Sequence, residues 1–229
     1  MTERIEQRAS LRQAVQLPIV YRVPGARTTH LEAGWTRDVS EGGIGLELPE
    51  RLQTDTMVDL RVRTTRGSVR IEGQVLWVGL PTTSTGGTPH GLAFRGVHPS
   101  DAETLQVLLA ALQKMSHAGS RLPLDLAVSC EPCSAPSPSL DGRTLNVSRG
   151  GMALQLPTIV VPRTELRLTL HTTRQRLAVE GVVAWVEPES RRQPGALIAH
   201  GVQFTALDWS LALTLGAILV DQEEKPCPG

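Results

Sequence analysis

Two groups of residues in this chain have types and spacings that could do chemistry. The first is Arg8-Ala-Ser-Leu-Arg12, two guanidiniums just ahead of the first apolar run. The second is Asp38-Val-Ser40-Glu-Gly-Gly43, a carboxylate, a hydroxyl and a bare backbone position. A guanidinium grips a phosphate, or the O6/N7 edge of a guanine, through two parallel hydrogen bonds, a planar fork that lysine lacks. A carboxylate accepts from the N1 and N2 protons on guanine's other edge, and a serine hydroxyl bonds phosphate or base. A glycine lets backbone come close because it has no Cβ. Together the set suits an anion that also carries purine edges. Singly, none is distinctive. Arginines in a polar leading segment are ordinary solvated charge, and Asp and Ser before two glycines are ordinary turn formers.

The second group occurs twice. Asn146-Val-Ser148-Arg-Gly-Gly151 stands 108 positions after Asp38-Val-Ser40-Glu-Gly-Gly43. Gly73-Gln-Val-Leu-Trp77-Val returns as Gly181-Val-Val-Ala-Trp185-Val at the same offset, and His90-Gly-Leu-Ala-Phe94 returns as His200-Gly-Val-Gln-Phe204 at an offset of 110. Three landmarks in one order indicate duplication of a whole domain, with one short loop insertion. The expected domains are 1–118 and 119–229, each long enough for a core of its own.

The elements that must position these residues are mostly strands. In the first copy, alternation and turn residues predict strands over 14–23, 31–39, 44–48, 58–62, 69–78 and 90–97. Gly42-Gly43 would supply the positive φ of a tight antiparallel connection. Ser100-Asp-Ala-Glu103 reads as a capping box, followed by Leu105, Leu108, Leu109, Leu112 and Met115 at helical spacing. The second copy repeats the plan over 122–129, 140–147, 152–156, 166–171, 177–186 and 200–205, with a last helix capped by Asp208 or Ser210. The expectation is an all-β chain, two closed or nearly closed barrels with one C-terminal helix each. Trp77, Trp185, Phe94 and Phe204 read as core, and His90 and His200 as structural.

Composition narrows the function. The chain has 23 basic and 23 acidic residues, a balance that disfavours binding to duplex nucleic acid. No apolar run approaches the roughly 20 residues of a membrane span, and the first residues do not resemble a signal peptide, so a cytoplasmic protein is expected. Cys130-Glu-Pro-Cys133 is a lone CxxC in a Pro/Ser-rich loop, with Cys227 far downstream; without a second ligand pair it reads as free thiols, and no metal site is expected. No nucleophile elbow, phosphate loop or HExxH is present, so an enzyme is not expected.

An RxxxR pair followed by [DN]xSxxG resembles the PilZ domain family, whose members bind the bacterial second messenger cyclic di-GMP. The Trp late in the module, the HGxxF strand and the terminal helix are similar too, and the likeness spans both copies. It implies tandem six-stranded antiparallel PilZ-like barrels, with Arg8, Arg12, Asp38, Ser40 and Gly43 holding cyclic di-GMP in the first. It also implies a leading segment that closes over the ligand, and a downstream protein partner. In the family an extra arginine before RxxxR accompanies a stacked ligand dimer; Gln7 occupies that place here, which favours a single ligand.

The second copy keeps Asn146, Ser148 and Gly151, which would form at most a weaker site. Matching Leu17-Pro18 to Leu122-Pro123 puts Gln113 and His117 where Arg8 and Arg12 stand, removing two fixed charges. Arg121, Arg143 or Arg149 could restore charge from another direction. The competing function is a ligand-independent adaptor in motility or surface machinery.

Overall fold

In the computed structural model the described residues are 12–25, 31–82, 86–114, 121–134 and 138–221. They divide into two compact units, the second spanning Arg121–Ile218. The first contains β1 (Gln13–Ala14), β2 (Pro18–Arg22), β3 (Glu32–Val39), β4 (Gly43–Leu48), β5 (Met57–Thr64), β6 (Gly67–Val78) and β7 (Thr88–Val97). A 3-10 turn (Pro99–Asp101) leads into α1 (Ala102–Lys114). The strand order is β1-β3-β2-β5-β6-β7-β4, and β3 also pairs with β4, so the sheet closes on itself. Because β1 and β2 pair antiparallel with successive parts of β3, they are one interrupted strand. The barrel is therefore six-stranded, as the sequence predicts.

The interruption has a chemical cause. Thr36 of β3 is fully buried, and its hydroxyl accepts from the Leu17 amide at 2.8 Å and donates to the Val15 carbonyl at 2.6 Å. A side chain thus takes the place of a ladder bond without leaving a buried polar group unpaired.

The second unit repeats the plan with β8 (Leu122–Pro123), β9 (Ala127–Pro132), β10 (Leu140–Ser148), β11 (Gly151–Leu156), β12 (Glu165–His171), β13 (Arg176–Val186) and β14 (Ile198–Ala206). Its strand order is β11-β14-β13-β12-β9-β10-β8, closed by β10 on β11. Thr144 does there what Thr36 does in the first barrel, accepting from Leu126 at 2.9 Å and donating to Leu124 at 2.5 Å. The helix α2 (Trp209–Asp221) follows.

Strand alternation builds each core. Val58, Leu60 and Val62 of β5 face inward in register with Gly73, Ile71 and Val69 of β6. Leu166, Leu168 and Leu170 of β12 do the same opposite Gly181, Val179 and Leu177 of β13. Each such side chain contributes roughly 1.5–3 kcal/mol on burial.

Several sequence expectations need correction. Trp77 and Trp185 are not core residues, being 44% and 42% exposed. A register shift between Val75 and Trp77, repeated between Val183 and Trp185, inserts an extra residue and turns the indole outward. Each ring then lies against the bare backbone of Gly91 or Gly201, where a Cβ would overlap it. The buried tryptophan is Trp35. Ser100 does not cap α1. Its hydroxyl donates to Asp101 at 2.7 Å, and Arg70 of β6 donates to Asp101 from its backbone N and its Nε, both at 2.9 Å. The Arg70 guanidinium holds the Asp101 carboxyl well below the usual range and ties the entry of α1 to the barrel. For α2 the cap is Asp208, which accepts from the Leu211 amide at 2.8 Å.

Candidate ligand-binding site

The turn from β3 to β4 carries Asp38, Ser40 and Gly43, and local bonds determine its shape. Both the amide and the hydroxyl of Ser40 donate to the Gly43 carbonyl, at 2.9 and 3.2 Å, and Ser40 is buried. The Phe94 amide donates to the Gly42 carbonyl at 3.0 Å, seating the turn on β7. Neither Gly42 nor Gly43 has positive φ, contrary to the expectation from their tandem. Gly43 is needed for a different reason. A Cβ there would stand 2.5 Å from the Leu92 carbonyl oxygen, so the close approach it permits is that of β7.

The β1–β3 ladder brings the basic residue to the acidic one. Gln13 faces Val39 and Ala14 faces Asp38, which leaves Arg12 at the mouth of the turn. Its Nη1 donates to Asp38 Oδ1 at 2.6 Å, with the two side chains 47% and 30% exposed. Arg8 lies outside the described residues. Arg12, Asp38, Ser40 and Gly43 are thus collected in one place, although the Ser40 hydroxyl is committed to the turn. A cleft of about 510 Å³ lies elsewhere on this barrel, lined by Val20, Arg22, Leu60, Arg70, Ile71 and His98 among others and by none of the motif residues.

Strand register also corrects how the two copies align. Leu122 faces Val147 and Pro123 faces Asn146, just as Gln13 faces Val39 and Ala14 faces Asp38. The seating of Thr36 and Thr144 agrees, since Val15 and Leu17 correspond to Leu124 and Leu126. The counterpart of Arg12 is therefore Arg121, and that of Arg8 is His117; Gln113 corresponds to neither. His117 lies outside the described residues, and Arg121 is exposed at the start of β8. The Leu-Pro dipeptides misled the alignment because they belong to different parts of the interrupted strand.

The rest of the second turn is preserved in form and altered in chemistry. The Ser148 hydroxyl donates to the Gly151 carbonyl at 3.2 Å, and the Phe204 amide donates to the Gly150 carbonyl at 3.0 Å. A Cβ on Gly151 would run into the Val202 carbonyl. Asn146, however, has its Oδ1 buried with no hydrogen-bond partner among the described residues. Arg143 is turned to Asp125 at 2.6 Å, and the Arg149 guanidinium stacks 5.2 Å from the centre of the Trp209 ring.

Both strand histidines are structural, as the sequence suggests. His90 is fully buried; its Nδ1 donates to the Thr88 carbonyl at 2.9 Å and its Nε2 accepts from the Leu52 amide at 3.1 Å. His200 repeats this with Ile198 at 2.8 Å and Val160 at 3.1 Å. An Nε2 that accepts carries no proton, so both rings are neutral, and burial lowers both pKa values. Cys130 is buried, its thiol pushed up to about 12 by that burial, whereas Cys133 is exposed. No described helix is long and apolar enough to cross a membrane.

The family model for the PilZ domain matches residues 6–111 and again 119–219. No curated protein matches the chain by sequence. Among solved structures, the Bacillus subtilis inhibitor of motility MotI/DgrA aligns at 11% identity over 92% of this chain and 96% of its own, with a TM-score of 0.39. The PilZ domain of Escherichia coli YcgR, solved with c-di-GMP, aligns at 15% identity over 48% of this chain and 93% of its own, TM-score 0.40. The K. pneumonia MrkH–c-di-GMP complex aligns at 10% identity over 90% and 87%, TM-score 0.39. The family match, covering most of both barrels, places the chain.

Proposed function

The chain is a tandem PilZ-domain protein, and from that premise we propose that its first domain is a receptor for cyclic di-GMP. The observation that carries this reading is the meeting of the two halves of the motif, Arg12 and Asp38, at 2.6 Å through the β1–β3 register. The ligand's phosphates and O6/N7 guanine edges match the guanidiniums of Arg8 and Arg12, and its N1 and N2 protons match the Asp38 carboxylate. Gly43 and the hydroxyl-locked Ser40 hold that carboxylate at the barrel rim.

Charge-assisted hydrogen bonds contribute about 1.5–3 kcal/mol each, and micromolar affinity corresponds to about 8 kcal/mol. Two arginines and one aspartate therefore nearly account for such affinity. Ligand and arginines also compete and cooperate at one place: the Asp38 carboxylate that accepts from Arg12 in the free protein is the group offered to guanine. Binding re-forms this contact, with the leading segment and Arg8 closing over the dinucleotide. The protein acts in the cytoplasm as a non-catalytic receptor, handing the signal to a downstream protein. The second domain, with Asn146 in place of the carboxylate and His117 in place of Arg8, binds weakly or not at all through Asn146, Ser148 and Gly151.

Titration calorimetry with cyclic di-GMP tests the reading. Wild type is expected to bind one equivalent, whereas Arg8→Ala with Arg12→Ala, and separately Asp38→Ala, weaken binding by about 100-fold or more and about 10-fold or more. Undiminished affinity in the double arginine variant overturns the assignment.

A further inference from the structure

The two barrels differ at one position that neither the motif nor the charge pattern includes. In the first, Asp38 of β3 faces Gly45 of β4; in the second, Asn146 of β10 faces Ala153 of β11. A Cβ placed on Gly45 would stand 2.6 Å from Asp38 Oδ2, 2.9 Å from Cγ and 2.9 Å from Oδ1. The carboxylate thus lies flat across the bare backbone of β4, in the space that any side chain at 45 would fill. From there its Oδ1 meets Arg12. In the second barrel that space belongs to the Ala153 methyl, and the equivalent carboxamide has its oxygen buried and without a partner among the described residues.

We infer that Gly45 is a positioning residue for the ligand site, and that Ala153 at the matching place withdraws Asn146 from its own. The inference rests on the reading of the Asp38 turn as the ligand site, but its structural half stands without a ligand. Its physical basis is the softness of what would be displaced. The atoms nearest the added Cβ are the far end of a short side chain, which can rotate at the cost of its Arg12 contact, rather than backbone. A methyl at 45 therefore leaves the strand intact, as the alanine of the second barrel demonstrates, while moving the carboxylate off the line between Arg12 and the turn. By contrast, a methyl on Gly43 would meet the Leu92 carbonyl, a clash with backbone that the fold must absorb. Motif reading selects Gly43 and passes over Gly45. In the structure Gly43 belongs to barrel closure, and Gly45 belongs to the site.

The test uses the full chain carrying Gly45→Ala, and in parallel Ala153→Gly. Crystal structures of the free variants are expected to show Asp38 rotated away from Arg12 in the first, and the Asn146 oxygen brought out to the surface near Arg121 in the second. Asp38 still paired with Arg12 in Gly45→Ala overturns the inference, whether or not any nucleotide binds. With cyclic di-GMP, Gly45→Ala is expected to lose about tenfold or more in affinity while keeping a wild-type circular dichroism spectrum. Wild-type affinity in that variant, or two equal sites in the wild type, also overturns it. A wild type that binds no dinucleotide defeats the proposed function alone and leaves the structural comparison to decide the role of Gly45.

Discussion

At the residue scale, a motif names side chains but not the bonds they make. Ser40 shows the difference. Residue type suggests a hydroxyl for phosphate or base, yet its hydroxyl is buried and donates to the Gly43 carbonyl, as Ser148 does to Gly151. Ser40→Ala should thus act by loosening the turn, with a loss of about 0.5–1.5 kcal/mol in urea unfolding and a modest loss of ligand affinity. If Ser40 contacted the ligand instead, Ser40→Ala would lower affinity with stability unchanged. Asp38 and Arg12 were legible because their spacing is carried by one local ladder. Arg121 was not, since its equivalence to Arg12 depends on strand register. Register here is determined by a threonine hydroxyl seated between two backbone groups, and no periodicity of apolar residues reports that. Gly45 was illegible for a similar reason, because the cross-strand partner of a glycine is invisible before the strands are paired.

At the scale of elements, the strands were legible from alternation, and the misses cluster where alternation breaks. The outward turn of Trp77 and Trp185 follows from one extra residue in β6 and in β13. What the sequence did show correctly was the structural role of the histidines that follow the β6–β7 and β13–β14 loops. Each imidazole bridges a loop amide, Leu52 or Val160, to its own strand through Thr88 or Ile198. Both require a neutral ring, and burial pushes each pKa below its ordinary 6.5. The unfolded chain then binds more protons than the fold once pH falls under that value. The stability contributed by the neutral rings is complete above about pH 6.5 and is lost progressively as pH falls from there through the folded values. Urea unfolding should show stability dropping as pH falls below about 6.5, by up to about 1.4 kcal/mol per pH unit for each histidine. His90→Asn with His200→Asn should lower stability at pH 7.5 by about 1–3 kcal/mol per site, since each leaves a buried loop amide without its acceptor. The same pair should flatten the acid slope. A slope unchanged in the double variant would assign it to other groups.

At the scale of the whole molecule, the duplication was the plainest signal in the sequence, because three landmarks recur in one order. Duplication makes the copies alike in fold and leaves each free to differ in chemistry. The first turn carries Asp38 with Glu41 beside it, and the second carries Asn146 with Arg149. On the proposed reading, one barrel would capture the ligand and the other, with its similar turn, would be released for other contacts. If capture closes the leading segment, the ligand converts bonds at Arg8 and Arg12 into protection of the chain around them. Trypsin cleavage at Arg4, Arg8 and Arg12 should then slow when cyclic di-GMP saturates the wild type, and remain fast with ligand in Asp38→Ala. An adaptor that ignores the nucleotide would be cleaved at equal rates with and without it. Such an adaptor would also hold its protein partner undiminished in the Arg8→Ala, Arg12→Ala variant, whereas a receptor's grip on that partner would no longer respond to the dinucleotide. The two readings therefore separate on one chain and one ligand. Proteolysis reports closure and co-precipitation reports output, and only a receptor couples the two through the same pair of arginines.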